Sequence, residues 1–257
     1  MDAFVDGPFS GNPAAVMLVD EFSPYCQAIA TEMNLSETAF VKRIKGRHYH
    51  LRWFTPKMEV KICGHATLAS AHILYSMGTS ENDTIYFETL SGTLPVTKDD
   101  SGIILDFPLQ KTGPTIDATT YANLLHLNLS DIVTMVRAED CIIVELASED
   151  LIKSYVPNFS DILNIDSRGI IFTSRATQYD FISRYFSPRS GINEDPVTGS
   201  AHCKLAHFWS VKLGKSSFSA YQPSLRGGCV NLTIKESRVF LSGQAVTNLS
   251  GEWQGPL

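Results

Sequence analysis

The chain has 257 residues with 21 Lys and Arg against 27 Asp and Glu, which gives a formal charge of −6 and a sequence pI near 5.6. Phosphate backbones are bound by clustered cations, so this anionic balance argues against a DNA- or RNA-binding role. With 44% hydrophobic and 19% charged residues, the composition is that of a globular protein and excludes a disordered chain.

The sequence also argues against a membrane protein, a disulfide scaffold and a zinc protein. No apolar run approaches the roughly 20 residues that span a bilayer, and the first residues lack the basic and apolar regions of a signal peptide. The five cysteines are scattered singly, and Cys203 and His207, four residues apart on a predicted helix, have no second pair to complete a metal site. We therefore expect a soluble cytoplasmic protein with free thiols and no bound metal.

The first predicted elements lead to a candidate acid. Ser23 to Met33 has the pattern of a short amphipathic helix, with Asn34 as its C-cap. The next segment places Glu37 between this helix end and an apolar strand. Carboxylates are rarely buried unless they are paired or functional. Glu37 is therefore a candidate general acid/base, and its structural alternative is a hydrogen bond to a nearby backbone group.

An internal repeat organises the rest of the chain. RWFTP, from Arg52 to Pro56, returns as RYFSP, from Arg184 to Pro188, at an offset of 184 − 52 = 132. The segment CGHATLASAH at 63–72 matches TGSAHCKLAH at 198–207 at an offset of 198 − 63 = 135. The second copy therefore has three additional residues between its strand and its helix, within 189–197. We interpret the chain as two halves descended from one unit.

Each copy of the repeat leads into a helix. His65 to Tyr75 is apolar on all sides with several small residues, and Ser200 to Leu213 has a similar start and ends before Gly214. Alternating runs around the two helices predict strands: DTIYFETL, GTLPVTKD, GIILDFPL, CIIVELA, GIIFTS, CVNLTIK and RVFLSGQAV. Both halves are thus predicted to be a sheet curled around a buried helix.

Gly64 and Gly199 stand at the starts of these two helices. A helix N-terminus has unpaired N–H groups and a partial positive charge, so a glycine there permits an anion to approach. If the halves face each other by pseudo-symmetry, both helix starts could bind one small carboxylate. The alternative is that the glycines only permit tight packing of strand against helix.

Six segments together resemble a known family. They are GNPAAV (Gly11–Val16), MNLSETAF (Met33–Phe40), LRWFTP (Leu51–Pro56), CGHATLASAH (Cys63–His72), GINEDPVTGSAH (Gly191–His202) and RGG (Arg226–Gly228). In order and over nearly the full length, the chain resembles the phenazine-biosynthesis PhzF-like family, a branch of the diaminopimelate-epimerase-like fold. The resemblance implies an α+β fold with two pseudo-symmetric halves, 1–110 and 111–257, each a barrel-like β-sheet wrapped around a central buried helix.

The resemblance also implies a function and a site. The family's active site lies between the halves and uses no cofactor, and the resemblance suggests a homodimer that acts on a small carboxylate. Glu37 corresponds to the acid/base that moves a proton between substrate carbons. The other implied residues are His65 and Asp195 as catalytic partners, and Gly64, Gly199 and Ser200 as substrate-binding groups.

The repeat itself bears on the mechanism. Racemases of this fold use one cysteine from each half, but here the repeat pairs Cys63 with Thr198. A threonine hydroxyl has far too high a pKa to act as a base without an activator. This disfavours a two-base epimerase and favours an isomerase in which Glu37 both removes and returns the proton. Cys63 is then a packing residue rather than a nucleophile, and a ligand-binding or interaction module remains the alternative to an enzyme.

Three departures from the family pattern carry expectations of their own. The chain begins directly at Met1, where relatives have several preceding residues, so we expect a short first strand from an N-terminally truncated sequence. Arg189 stands where relatives often have an aromatic residue, and it either favours an anionic ligand or faces solvent. The segment from Lys111 to about Ile165 carries no motif and looks shortened, so the loops that shape the substrate site are expected to differ there from those of relatives.

Overall fold

The structure is a computed structural model of the chain that describes residues 1–80 and 82–256. Its strands, in chain order, are β1 (Asp2–Ala3), β2 (Asn12–Val19), β3 (Glu37–Lys45), β4 (His48–Phe54), β5 (Glu59–Val60), β6 (Ile85–Thr89), β7 (Gly92–Asp99), β8 (Gly102–Pro108), β9 (Ile132–Ala138), β10 (Cys141–Leu146), β11 (Gly169–Arg175), β12 (Phe181–Ser187), β13 (Ile192–Asp195), β14 (Ser217–Gln222), β15 (Gly228–Lys235), β16 (Arg238–Gly243) and β17 (Ala245–Val246).

The helices are fewer and mostly short. They are α1 (Cys26–Met33), α2 (Gly64–Ser76), α3 (Thr119–Ala122), α4 (Glu149–Ser154), α5 (Phe159–Ile162) and α6 (Gly199–Leu213). Two 3-10 turns occupy Leu129–Asp131 and Pro188–Ser190. In the described part of the chain, no helix has the length and apolar character needed to cross a membrane.

The chain divides into two units. Unit 1 contains Met1–Phe107 and the segment from Phe240 to the C-terminus, and unit 2 contains Pro108–Val239. This division differs from the predicted halves, 1–110 and 111–257, because the C-terminal segment returns to unit 1. There β17 pairs antiparallel with β1, and the Asn248 amide donates a hydrogen bond to Asp2 over 2.7 Å.

The two units repeat one strand order. In unit 1, β2 runs parallel to β3, β3 antiparallel to β4, β4 antiparallel to β5 and parallel to β6, and β6 antiparallel to β7. In unit 2, the strands β10 to β15 pair in the same sequence of parallel and antiparallel neighbours. The predicted pseudo-symmetry is therefore present in the sheet pairing as well as in the sequence.

Each unit has one long, buried helix. In unit 1, α2 packs against β1, β2, β3 and β17, and its small side chains at Ala66, Ala69 and Ala71 are fully buried, which permits close packing of the sheet. In unit 2, α6 packs against β15 and ends at Gly214, whose φ of 64° is the left-handed conformation of a helix C-cap. Both helices begin one residue before the predicted His65 and Ser200, at Gly64 and Gly199.

Several local predictions are confirmed and others need correction. Helix α1 ends at Asn34 in the left-handed conformation, as expected, and β1 is only two residues long. The segment 111–165, in which no motif was found, forms α3 to α5 and the whole of β9 and β10. Arg189 is exposed, and it donates hydrogen bonds to the carbonyls of Leu163 and Ile165 at 2.9 and 3.0 Å. Arg189 therefore anchors the end of this segment within unit 2.

Candidate active site

The local fold of unit 1 gathers four side chains, which we call the Glu37 group: Asn12, Glu37, Cys63 and His65. Glu37 is the first residue of β3, Asn12 begins the neighbouring parallel strand β2, and Cys63 and His65 flank the first residue of α2. The Glu37 side chain is 12% exposed and that of His65 only 4%. A carboxyl group is thus held largely out of water beside an imidazole.

His65 is the centre of the Glu37 group. Its Nε2 lies 3.1 Å from Glu37 Oε2, while its Nδ1 lies 3.1 Å from the Asn12 side-chain amide and 3.6 Å from Cys63 Sγ. Asn12 therefore fixes the ring so that Nε2 faces the carboxylate. Sequence reasoning missed Asn12, although it lies in the GNPAAV motif, where a polar residue at the start of an apolar strand was the available signal.

Burial and charge set the protonation of the Glu37 group. Burial raises the pKa of the Cys63 thiol to about 11, Glu37 adds to this effect, and His65 opposes it. Burial lowers the pKa of His65, but the charge of Glu37 and the polar contacts of the ring with Glu37 and Cys63 hold it well above its usual value. Near neutral pH, Cys63 is therefore a protonated thiol and a weak nucleophile, whereas His65 keeps a proton next to Glu37.

Unit 2 gathers a second set of side chains, which we call the Asp195 group: Asp195, Thr198 and Gln222. The Thr198 hydroxyl donates a hydrogen bond to Asp195 Oδ2 over 2.6 Å, and the fully buried Gln222 bonds the backbone of both residues. Sequence reasoning did not find Gln222, because a single glutamine at the end of a short strand carries no motif. The Thr198 hydroxyl thus binds the Asp195 carboxylate, while Gln222 fixes the backbone of both residues.

Both long helices begin without a side-chain cap. The N-cap residues are Cys63 for α2 and Thr198 for α6, and within the described chain neither side chain accepts a hydrogen bond from the first turn. Gly64 and Gly199 are buried, and Ser200 is partly exposed at the second position of α6. The first-turn N–H groups are thus not taken by a cap, which suits them to an anionic group.

The predicted site residues therefore fall into two sets, one in each unit. Glu37, Gly64 and His65 lie together in unit 1, in a carboxylate–imidazole pair at a helix start. In unit 2, Asp195 lies three residues before Thr198, and Gly199 and Ser200 open α6. Each set combines a buried carboxylate with an uncapped helix.

A bidentate ion pair is conserved between the two copies of the repeat. Arg52 binds Glu59 through Nε and Nη2 at 2.7 and 2.8 Å, and Arg184 binds Glu194 in the same way at 2.7 and 2.9 Å. Glu194 thus matches Glu59 at the offset of 135, and the three additional residues fall in the turn that precedes it. Glu194 is an ion-pair residue, unlike its neighbour Asp195.

The same alignment shows what unit 2 has in place of Glu37. The strand registers pair Thr38 with Phe54 in unit 1 and Ile170 with Phe186 in unit 2, so that the position of Glu37 is occupied by Gly169. A Cβ atom built on Gly169 would lie only 2.5 Å from the ring of Tyr185. Unit 2 therefore has no room for a second carboxyl group at that position.

One set of potential metal ligands also lies in unit 1. The ligand atoms of Glu37, Cys63 and His65 all lie within 4.8 Å of one another. In residues 1–80 and 82–256, this is the one group of three or more such side chains that is close enough to hold an ion. His207, considered with Cys203 in the sequence, instead contacts the backbone N–H and hydroxyl of Thr112 at 3.1 and 3.0 Å.

Comparisons with known proteins agree with this architecture. Residues 1–251 match the family model described as phenazine biosynthesis-like protein, PhzC-PhzF. An uncharacterized isomerase of Halalkalibacterium halodurans is 47% identical over 98% of this chain and 96% of its own. A crystal structure of a putative phenazine biosynthesis PhzC/PhzF protein from Clostridium difficile has 40% identity and a TM-score of 0.90, covering 98% of this chain and 97% of that one.

A more distant structure shares only the fold. A predicted epimerase from Pseudomonas aeruginosa is 20% identical, with a TM-score of 0.75 over 97% of this chain and 98% of its own. The predicted diaminopimelate-epimerase-like fold class is thus confirmed. The chain belongs to the phenazine biosynthesis-like family of isomerases, as its motifs indicated.

Proposed function

We propose that the protein is a cofactor-independent isomerase that moves a proton between carbons of a small carboxylate metabolite, with Glu37 as the general acid/base. The observation that carries the proposal is the buried contact of Glu37 Oε2 with His65 Nε2 at 3.1 Å. A carboxyl group in a site of this kind is placed to exchange a proton with bound substrate. The family relationship supports the reaction class, since a relative 47% identical is named an isomerase.

The proposed reaction has two proton transfers and no net change in composition. Glu37 as the carboxylate takes a proton from one substrate carbon, and the electron pair left behind shifts the double bond. Glu37 then returns the proton to the other carbon of the shifted system. His65, held by Asn12, orients the carboxyl group during both steps.

Substrate binding is assigned to the uncapped helix starts. The backbone at Gly64 would hold the substrate carboxylate through N–H groups of the first turn of α2. The corresponding groups in unit 2 are the backbone at Gly199 and the hydroxyl of Ser200, with Asp195 as a further partner. The family resemblance gives these three residues their roles. Gly199 and Ser200 open α6, and Asp195 ends β13 shortly before it, which is consistent with those roles.

One acid/base rather than two is supported by the repeat. The positions in unit 2 that correspond to Glu37, Cys63 and His65 hold Gly169, Thr198 and Ser200. The Thr198 hydroxyl already donates to Asp195, and Cys63 itself is a protonated thiol near neutral pH. These residues therefore do not support a two-thiol epimerase that acts on opposite faces of one carbon. They support a mechanism in which Glu37 alone carries the proton.

The proposal is tested by proton exchange in D2O. The purified protein is incubated with a panel of small unsaturated and hydroxylated amino and carboxylic acids, and carbon-bound deuterium is followed by NMR. We expect exchange or isomerisation of at least one compound, lowered by about 10²- to 10⁴-fold in Glu37→Gln. The matched control is Glu88→Gln, a carboxylate of β6 in the same unit, which should exchange as the wild type does.

Two results would contradict the proposal. Binding of carboxylates without exchange of any compound in a broad panel would favour a ligand-binding module. Equal exchange by Glu37→Gln and the wild type would remove Glu37 from the reaction.

A further inference from the structure

The Glu37 group combines three types of metal-ligand atom. A carboxylate oxygen, a thiol sulfur and an imidazole nitrogen lie within 4.8 Å of one another. In a tetrahedral zinc site, bonds of about 2.0–2.3 Å place neighbouring ligand atoms roughly 3.3–3.8 Å apart. The 3.1 Å contact of His65 Nε2 with Glu37 Oε2 falls close to this range. The Cys63 thiol lies 3.6 Å from the other ring nitrogen, Nδ1, so an ion bound through Nε2 requires the Cys63 side chain to turn toward it.

In the part of the chain that the structure describes, two ligand atoms of the Glu37 group lack an aligned hydrogen bond. Glu37 Oε2 and His65 Nε2 are buried and 3.1 Å apart, yet within the described residues neither has an aligned hydrogen-bond partner. Buried polar atoms are normally satisfied, and exceptions call for an explanation. An ion placed beside both atoms would satisfy both at once.

The supports of the three side chains are rigid. Cys63 is the N-cap of α2 and is held at its carbonyl by Thr67, one turn further along. His65 lies in the first turn and is fixed by Asn12, and Glu37 is anchored by the β2–β3 pairing. Fixed elements hold metal ligands more precisely than loops do.

The donor set indicates the class of ion. Magnesium and calcium prefer sites made entirely of oxygen ligands. Thiolate and imidazole select zinc and chemically similar ions, and three protein ligands with a fourth position open are typical of a zinc site that exchanges ligands. An ion bound to the Glu37 carboxylate would prevent Glu37 from accepting or donating a proton. Metal binding and the acid/base function therefore exclude each other.

We infer that Glu37, Cys63 and His65 form a binding site for a thiophilic divalent cation of the zinc type, and that the ion inhibits the enzyme by occupying its acid/base. The inhibitory part rests on the proposed function. The binding part is independent of it, since an ion is bound or not bound whether or not a substrate is known.

Cobalt is the probe for the site, because a thiolate bound to Co²⁺ gives a charge-transfer absorption that an oxygen or nitrogen site lacks. The full-length protein is titrated with Co²⁺, and Zn²⁺ is then added as competitor. We expect saturation at one ion per chain, a thiolate band, and loss of the band when Zn²⁺ displaces Co²⁺.

Variants assign the ligands. Cys63→Ser should abolish the band, and Glu37→Gln should weaken binding by at least the roughly 10- to 100-fold that loss of an outer-sphere partner costs. Glu37→Gln keeps the thiol and the imidazole. If Cys63→Ser does not fold, weaker Co²⁺ binding by Glu37→Gln still tests whether the ion binds at this site. The matched controls are Cys203→Ser in buried α6 and Cys229→Ser on partly exposed β15, which should bind as the wild type does.

The inference is overturned if Co²⁺ gives no saturable thiolate band, if Cys63→Ser keeps the band, or if Cys229→Ser loses it. Once an exchanging compound is known, Zn²⁺ should suppress its Glu37-dependent exchange in proportion to site occupancy, and full exchange by zinc-loaded protein would also overturn it. If no compound exchanges at all, the proposed function fails, while the cobalt titration still decides the metal site.

Discussion

Replacing His202 by threonine should remove a specific part of the acid sensitivity of the fold. His202 is fully buried in α6, where it stacks on Phe181 and its Nδ1 lies 2.7 Å from the carbonyl of Thr198. In the described residues its Nε2 has no hydrogen-bond partner. Burial lowers the pKa of His202 to about 4, although the bond to Thr198 partly opposes this shift.

The sign and size of the effect follow from linkage. Since the folded state has the lower pKa, the unfolded chain binds the proton more readily between the folded value of about 4 and the ordinary value of 6.5. Above the unfolded pKa of His202 the fold therefore keeps its full stability. As pH falls from that value to the folded pKa, stability is lost progressively, and below the folded pKa no further loss comes from His202. The loss attributable to His202 amounts to about 2 kcal/mol at about pH 5 and about 3 kcal/mol at about pH 4.

The internal repeat supplies the replacement. Thr67 occupies the corresponding position of α2, and its hydroxyl makes the equivalent bond to the carbonyl four residues earlier, that of Cys63. His202→Thr can therefore keep that bond while removing the titrating ring. The smaller side chain leaves a cavity and lowers stability at every pH, so the informative quantity is the difference between two pH values.

Urea unfolding at about pH 7 and about pH 5 measures this difference. Between these two conditions, the free energy of unfolding of the wild type should fall by about 2 kcal/mol more than that of His202→Thr. The exposed histidine of β4 gives the matched control, His50→Gln, which should keep the wild-type difference. Equal pH sensitivity of His202→Thr and the wild type would refute the assignment.

Three further predictions concern packing and assembly. Arg184→Met should lower the free energy of unfolding by about 3–5 kcal/mol, because it leaves Glu194 and two buried carbonyls unpaired. Arg52 is more exposed, so Arg52→Met should lower the free energy of unfolding by only about 1 kcal/mol. Equal losses for the two variants in urea unfolding would contradict this prediction. Gly169→Ala should cost about 1–3 kcal/mol by pressing on Tyr185, whereas Gly251→Ala, with open space around it, should be neutral in the same assay. The family resemblance predicts a homodimer, so light scattering should give a mass near twice 28.4 kDa, and a value near 28.4 kDa would contradict it.

Local patterns predicted much of the fold because the repeat supplied a second copy of each signal. The buried helices were recognisable from small and apolar residues, and their starts from glycine. The short β14, SFSAYQ, lacks a run of branched residues and was not predicted. The return of 240–256 to unit 1 depends on β17 pairing with β1 at the other end of the chain, and no local pattern encodes such a pairing.

The site was predictable to a different extent for each residue. Glu37 and His65 were found from their motifs, and the structure places them in contact. Asn12 and Gln222 were missed because their importance lies in which residues the fold brings beside them. The closeness of Cys63 to Glu37 also depends on the fold, since 26 positions separate them in the sequence, and a search for closely spaced ligand pairs overlooks such a set.

The return of the C-terminal segment to unit 1 has a consequence for the order in which the protein can assemble during synthesis. Unit 2 is one continuous stretch, so it can complete itself as it leaves the ribosome. Unit 1 must wait for β17, which packs on α2 and pairs with β1. At about 5–20 residues per second, translation of 108–239 delays that step by roughly 10 s. During this interval the first 107 residues lack their closing strand, and an apolar helix such as α2 is then a natural target for a chaperone.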